Sequence, residues 1–202
     1  MNKKGLLIVI SGPSGAGKGT VYNEVLIRRP EIQRSVSVTT RAPRKGEVDG
    51  IHYYFRTVEE YQRMIADGEF LETASVYSNY YGTPKAPVYE KLALGQDVMF
   101  EIDTLGAKQI KSIYPESVTI FIIPPSFEIL KNRLRARGTD SEDSIRRRLS
   151  CARSELEKYK QFDYIVFNDD LESSIQKVLS IIDAEKSRIF RNEKAIKEYL
   201  GS

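Results

Sequence analysis

The chain has one cysteine, Cys151, in 202 residues. It cannot close an internal disulfide, which suits a reducing cytoplasm. It falls in a helical stretch beside Ala152, where a quiet packing role fits better than a nucleophile's. The one histidine, His52, reads as packing beside Tyr53 rather than serving as a general base. No apolar run reaches the roughly 18–20 residues that a membrane span needs. Met1–Gly5 leads straight into a strand-like run without a signal-peptide cleavage pattern. Internal repeats and low-complexity segments are missing too. Excess charge of one sign is also lacking: 31 basic against 28 acidic residues leave +3. That balance does not argue for non-specific nucleic-acid binding and directs attention to where the arginines cluster, at Arg41/Arg44 and along Arg133–Arg153.

What is present is an ordinary globular mixture, 41% hydrophobic and 29% charged, in a chain long enough to bury a core. Leu6–Ser11, Val98–Ile102 and Val118–Ile123 are short, nearly continuous apolar runs, and Tyr164–Phe167 is a shorter fourth. Such runs suit strands buried on both faces of a parallel sheet. Helical patterns over Lys18–Arg29, Leu105–Ile113, Phe127–Arg137 and Leu171–Ile189 alternate with them, giving βαβ units and an α/β fold. The last stretch, Ala184–Tyr199, reads as one polar amphipathic helix. From Val36 to Leu94 the texture changes to crowded aromatics and short alternating segments, a small mixed α/β insertion. Residues 126–158 are helical and charged, interrupted at Arg137-Gly138-Thr139, and read as a flap.

Gly12-Pro13-Ser14-Gly15-Ala16-Gly17-Lys18 follows a buried strand and opens a helix. Glycines let backbone N–H groups turn inward around phosphate oxygens, the helix start faces the anion, and Lys18 adds a full charge. Gly19 follows the lysine and the hydroxyl comes only at Thr20, so direct magnesium ligation by a hydroxyl next to the lysine is not on offer. Lysine followed by Gly-Thr resembles nucleoside monophosphate kinases. Two arginines three apart, Arg41 and Arg44, lie on a loop stiffened by Pro43, and guanidinium forks suit bidentate phosphate recognition.

Together the phosphate loop, T-T-R-x-P-R-x-G-E-x-x-G (39–50), N-Y-Y-G-T-P (79–84), E-I-D (101–103) and R-G-T-D (137–140) resemble guanylate kinases, in order and over almost the whole chain. The resemblance implies a three-layer P-loop core with a parallel five-stranded sheet (1–35, 95–125 and 159–202), a GMP-binding insertion (36–94) and a helical lid (126–158). It implies phosphoryl transfer from ATP to GMP, and to dGMP, in the cytoplasm, with magnesium held through water and phosphates and Thr20 or Asp103 as its nearest protein groups. Gly12–Thr20 and Asn168 would hold ATP. Ser37, Arg41, Arg44, Tyr53, Glu72, Tyr81, Thr83 and Asp103 would hold GMP. Lys18, Arg41, Arg44, Asp103, Arg137 and Arg148 would serve the transfer, the last two from the lid, while Arg133, Arg135, Arg146 and Arg147 read as solvated helix charges. Glu101 is a candidate structural partner. Glu72 can accept guanine N1–H and N2–H together, an edge that adenine lacks. Two features depart from the pattern, Thr104-Leu105 between Asp103 and Gly106, and Ser78. The partners are small molecules, neither nucleic acid nor membrane, and self-association stays open. Two other readings compete: a non-catalytic scaffold module and a kinase for another monophosphate.

Overall fold

The computed structural model describes residues 4–76, 78–136 and 142–201. β1 (Leu7–Ser11) is buried along all five residues, as its apolar run requires. It pairs in parallel with β7 (Val98–Glu101) on one side and β8 (Val118–Ile123) on the other. β2 (Gln33–Arg34) and β9 (Tyr164–Phe167) complete a parallel sheet of order β2-β7-β1-β8-β9. Helices cover both faces. α1 (Lys18–Arg28) and α7 (Leu171–Lys186) bury Val21, Val25, Ile175 and Val178 against Ile8, Ile10 and Ile120. α3 (Lys85–Ala93) and α4 (Thr104–Ile113) bury Val88, Leu92, Ala107 and Ile110 against Leu7, Val9 and Phe100. The five-stranded, three-layer expectation holds, and the strand without an apolar run is the two-residue β2.

The insertion carries its own sheet: β3 (Val38–Thr39), β4 (Tyr54–Phe55), β5 (Phe70–Val76) and β6 (Asn79–Pro84), in the order β4-β3-β6-β5. β3 runs parallel to β4 and antiparallel to β6, so the sheet is mixed. α2 (Val58–Ala66), started by a Thr57/Glu60 capping box, lays Tyr61 onto a small core with Val38 and Phe70. α5 (Phe127–Ala136) and α6 (Glu142–Leu156) meet through Leu130, Leu149 and Ala152. Arg137 and the side chains of Arg146, Arg147 and Arg148 lie outside the described residues.

Two expectations are corrected. The helix expected over 184–199 breaks: α7 ends at Lys186, Arg188 is extended, and α8 (Ile189–Leu200) begins after it. Buried Glu185 accepts from the Tyr164 hydroxyl and Arg188, and Asn192 Nδ2 caps the carbonyls of Lys186 and Arg188. Those side-chain ties offset the lost helical hydrogen bonds. Cys151, expected to pack, is exposed, and its neighbour Ala152 turns inward instead. Among the described residues no helix is long and apolar enough to cross a membrane.

Candidate active site

The phosphate loop starts where β1 ends. Gly12 has φ +144°, and a Cβ there would stand 2.0 Å from the Ile122 carbonyl oxygen, so only glycine lets the chain turn against β8. α2, α4 and α7 each receive a side-chain N-cap, from Thr57, Asp103 and Asp170. α1 receives none: its N-cap is left-handed Gly17. No N-cap side chain therefore occupies its first N–H groups, and the positive end of a helix that opens a glycine-rich loop suits an anion. Lys18 Nζ donates to the carbonyls of Gly12 (2.7 Å) and Pro13 (3.2 Å), which folds the cation back over the loop.

Beside the loop lies a cleft of about 490 Å³ lined by Gly15, Gly17, Thr20, Arg133, Asn168, Asp169 and Leu171. Asn168, buried after β9, donates from Nδ2 to the Ala16 carbonyl at 2.8 Å. Arg133 donates to the carbonyls of Ala16 (3.4 Å) and Asn168 (3.1 Å). Its expected role as a solvated charge is therefore corrected; it ties α5 to both walls of the cleft. Glu155, on α6, was not singled out by sequence, yet its carboxylate accepts from Ser14 N–H at 3.3 Å. Burial raises its pKa, while Lys18 and the Ser14 amide pull it back. Nothing in the helical pattern around Glu155 signals this contact, which spans 141 residues.

Across the sheet's carboxyl end the insertion gathers the second group of candidates. Glu72 on β5 is 5% exposed and lies opposite Thr83 on β6. Thr83 Oγ1 donates to Glu72 Oε1 at 2.7 Å and lies 3.2 Å from Ser37 Oγ, so three polar groups form one line. Burial pushes the Glu72 carboxyl up, Thr83 lowers it, and the Asp103 charge raises it further. Arg41 sits in a tyrosine-lined corner: its guanidinium is 5.6 Å from the Tyr53 ring, which meets Tyr81 edge-on at 6.0 Å. Glu47, whose place in the arginine-loop motif was its only signal, holds Arg41 at 2.9 Å and accepts from Arg44 N–H at 2.7 Å. Arg41 and that amide bring the Glu47 pKa down to about 2. Arg44 is on the same loop with its side chain exposed. His52 does not pack as expected; it is exposed, and Nδ1 accepts from Val48 N–H at 3.0 Å.

Between the two groups stand Glu101 and Asp103. A Cβ on Gly19 would be 3.2 Å from Glu101 Oε1, so the two are close neighbours. Asp103 Oδ1 accepts from Gly106 N–H at 2.8 Å, fixing the carboxylate at the start of α4. Among the described residues no group of three His, Cys, Asp or Glu side chains forms a cage for a metal ion. Thr20, Glu101 and Asp103 are hard-oxygen donors at this end of the sheet.

The guanylate kinase family model matches residues 4–185. A guanylate kinase of Clostridioides difficile is 52% identical over 97% of this chain and 96% of its own. One from Carboxydothermus hydrogenoformans is 53% identical, covering 91% of this chain and 90% of its own. Among solved structures, a guanylate kinase from Anaplasma phagocytophilum superposes with a TM-score of 0.73 at 35% identity, over 94% of this chain and 90% of that one. A phosphate loop at an uncapped helix start, facing a buried carboxylate and a tyrosine-lined arginine, thus agrees with what these matches show: the chain belongs to the guanylate kinase family.

Proposed function

We propose that the chain transfers the γ-phosphoryl group of ATP to GMP, and to dGMP through the same base edge, giving ADP and GDP or dGDP in the cytoplasm. The observation that carries the base assignment is Glu72, a buried carboxylate lined up with Thr83 and Ser37 at the same carboxyl end of the sheet as the phosphate loop. A buried acceptor there suits guanine's N1–H and N2–H donors, and an adenine ring would leave it unpaired. Arg41, Arg44, Tyr53 and Tyr81 hold the monophosphate; Gly12–Thr20, Asn168 and Arg133 hold ATP.

A phosphate oxygen of GMP attacks the γ-phosphorus in line as the bond from that phosphorus to the β-bridging oxygen breaks, and ADP leaves. The acceptor is already an anion, so no general base is needed, and the protein's task is positioning and charge neutralisation. Lys18 turns from its loop carbonyls to the phosphates, Arg41 and Arg44 offset repulsion between the two substrates, and Arg137 and Arg148 close from the lid. Magnesium fits the sparse oxygen set of Thr20, Glu101 and Asp103, because that ion keeps several waters and takes few carboxylates beside phosphate oxygens. When bound it supplies positive charge to the phosphates. Closure of residues 126–158 excludes water from the donor.

A coupled assay of ADP release with ATP and each of GMP, AMP, CMP and UMP tests the assignment. GMP alone among the four is expected to support turnover, and Lys18→Ala is expected to lower it by ~10²-fold or more. Turnover with AMP or UMP equal to that with GMP contradicts the base assignment. GMP-dependent ADP release that survives Lys18→Ala contradicts the mechanism.

A further inference from the structure

We infer that Gln109 is a positioning residue for Glu72: it fixes the strand that carries the guanine-reading carboxylate to core helix α4. The inference rests on Glu72 reading guanine.

β5 is the edge strand of the insertion's sheet. An edge strand presents N–H and C=O groups that no neighbouring strand takes. At Thr73 both are taken by one side chain. Gln109 Oε1 accepts from Thr73 N–H at 2.9 Å, and Gln109 Nε2 donates to Thr73 C=O at 3.1 Å. The primary amide thereby imitates one residue of a further strand, and it comes from α4, a core helix.

Leu71 and Gly106 agree with this attachment, and Phe70 marks where it ends. Leu71, on the other side of Glu72 in sequence, is fully buried in the core cluster with Leu7, Val9 and Phe100, not in the insertion's own core. Phe70 belongs to that smaller core with Val38 and Tyr61, and the register of β5 against β6 shifts between Phe70 and Glu72. Gly106 stands one turn ahead of Gln109 on the same face of α4, and a Cβ there would meet Glu72 Oε2 at 3.1 Å. The helix therefore gives the carboxylate room at Gly106 and anchors its strand at Gln109. Glu72 thus sits between two core attachments, at Leu71 and Thr73, while its own carboxylate is tied to Thr83 on β6.

The test is Gln109→Leu, which keeps size and helix propensity and removes both hydrogen bonds. Removing two partly buried bonds is expected to raise the GMP KM by about 10-fold, with the ATP KM within about twofold of wild type. The preference for GMP over inosine monophosphate, which lacks the 2-amino group, should fall with it. Hydrogen exchange should speed up at the Thr73 amide and stay unchanged in β1 and β7, a readout that reports the clamp even if activity is lost. A GMP KM and GMP preference equal to wild type overturn the proposal. So does an equal rise in both KM values, or a Thr73 amide that exchanges as before. If wild-type protein shows no preference for GMP over AMP, the functional reading itself fails. If wild type prefers GMP and Glu72→Gln loses that preference while Gln109→Leu keeps it, only the clamp fails.

Discussion

Glu72→Gln separates function from stability, because the carboxylate that suits guanine is costly to the empty protein. Thr83 donates to Oε1, so a glutamine in its place keeps its oxygen toward Thr83 and turns its NH₂ to the guanine side. One guanine N–H then loses a charged acceptor and another faces a donor. Hydrogen bonds to charged groups contribute about 1.5–3 kcal/mol each, so the combined loss is about 3–4 kcal/mol, or roughly 10²- to 10³-fold in kcat/KM for GMP. The ATP KM should not move, since Glu72 is on the far side of the sheet's end from the cleft at Asn168. Stability should go the other way. Burial raises the Glu72 pKa in the folded chain. A raised folded pKa means that this group's contribution is full below the ordinary carboxylate range and is lost as pH rises through the folded value. At pH 8 the wild-type chain carries that cost and Glu72→Gln does not, so without GMP the variant should melt higher. The gap should shrink as pH falls below the raised folded value and be closed by the ordinary carboxylate value of 4.5. Coupled kinetics with GMP and ATP varied in turn, and thermal unfolding of the ligand-free protein at both pH values, measure the two halves. An unchanged GMP KM, parallel losses for GMP and ATP, or a lower melting point at pH 8 each refute the reasoning.

Gly12→Ala should be strongly destabilising. Its Cβ would stand 2.0 Å from backbone at Ile122 in a φ +144° conformation, so a loss of about 3 kcal/mol or more is expected in urea unfolding, and a wild-type midpoint contradicts it. Glu47→Ala should raise the GMP KM several-fold by releasing both Arg41 and the Arg44 backbone, with the ATP KM unchanged. The Glu47 pKa is depressed to about 2, so its support for the loop is present above the ordinary carboxylate range and is lost only as pH falls through that low value. An NMR titration of its side-chain carbonyl should show that midpoint, and a midpoint near the ordinary value removes the Arg41 pairing.

How far the sequence could be read follows from how local each cause is. β1 and its loop were legible because an apolar run, glycine spacing and a lysine are neighbours in the chain, and each imposes its geometry directly. β2 was not, since Gln33 and Arg34 have no apolar signature and owe their strand to pairing with Val98 and Met99. The break at Ser187–Arg188 hides inside a continuous amphipathic pattern because Tyr164, about twenty residues away, holds Glu185 from another element. Glu72, Arg41 and Lys18 were found through motif chemistry, but Arg133, Glu155 and Gln109 are ordinary polar residues on helices. Their partners lie 35 to 141 residues off and are mostly backbone atoms, which no side-chain pattern records. The same distinction bears on mechanics. Composition sets the insertion apart at Val36–Leu94, yet packing attaches Leu71 and Thr73 to the core, so a boundary drawn by texture and one drawn by contacts differ at the residue between them. A two-substrate kinase needs its bases held and its phosphates brought together. Attaching the Glu72 strand to α4 ties the base end of the proposed GMP site to the core, and its pairing with β6 ties that end to Tyr81, so one strand serves both demands.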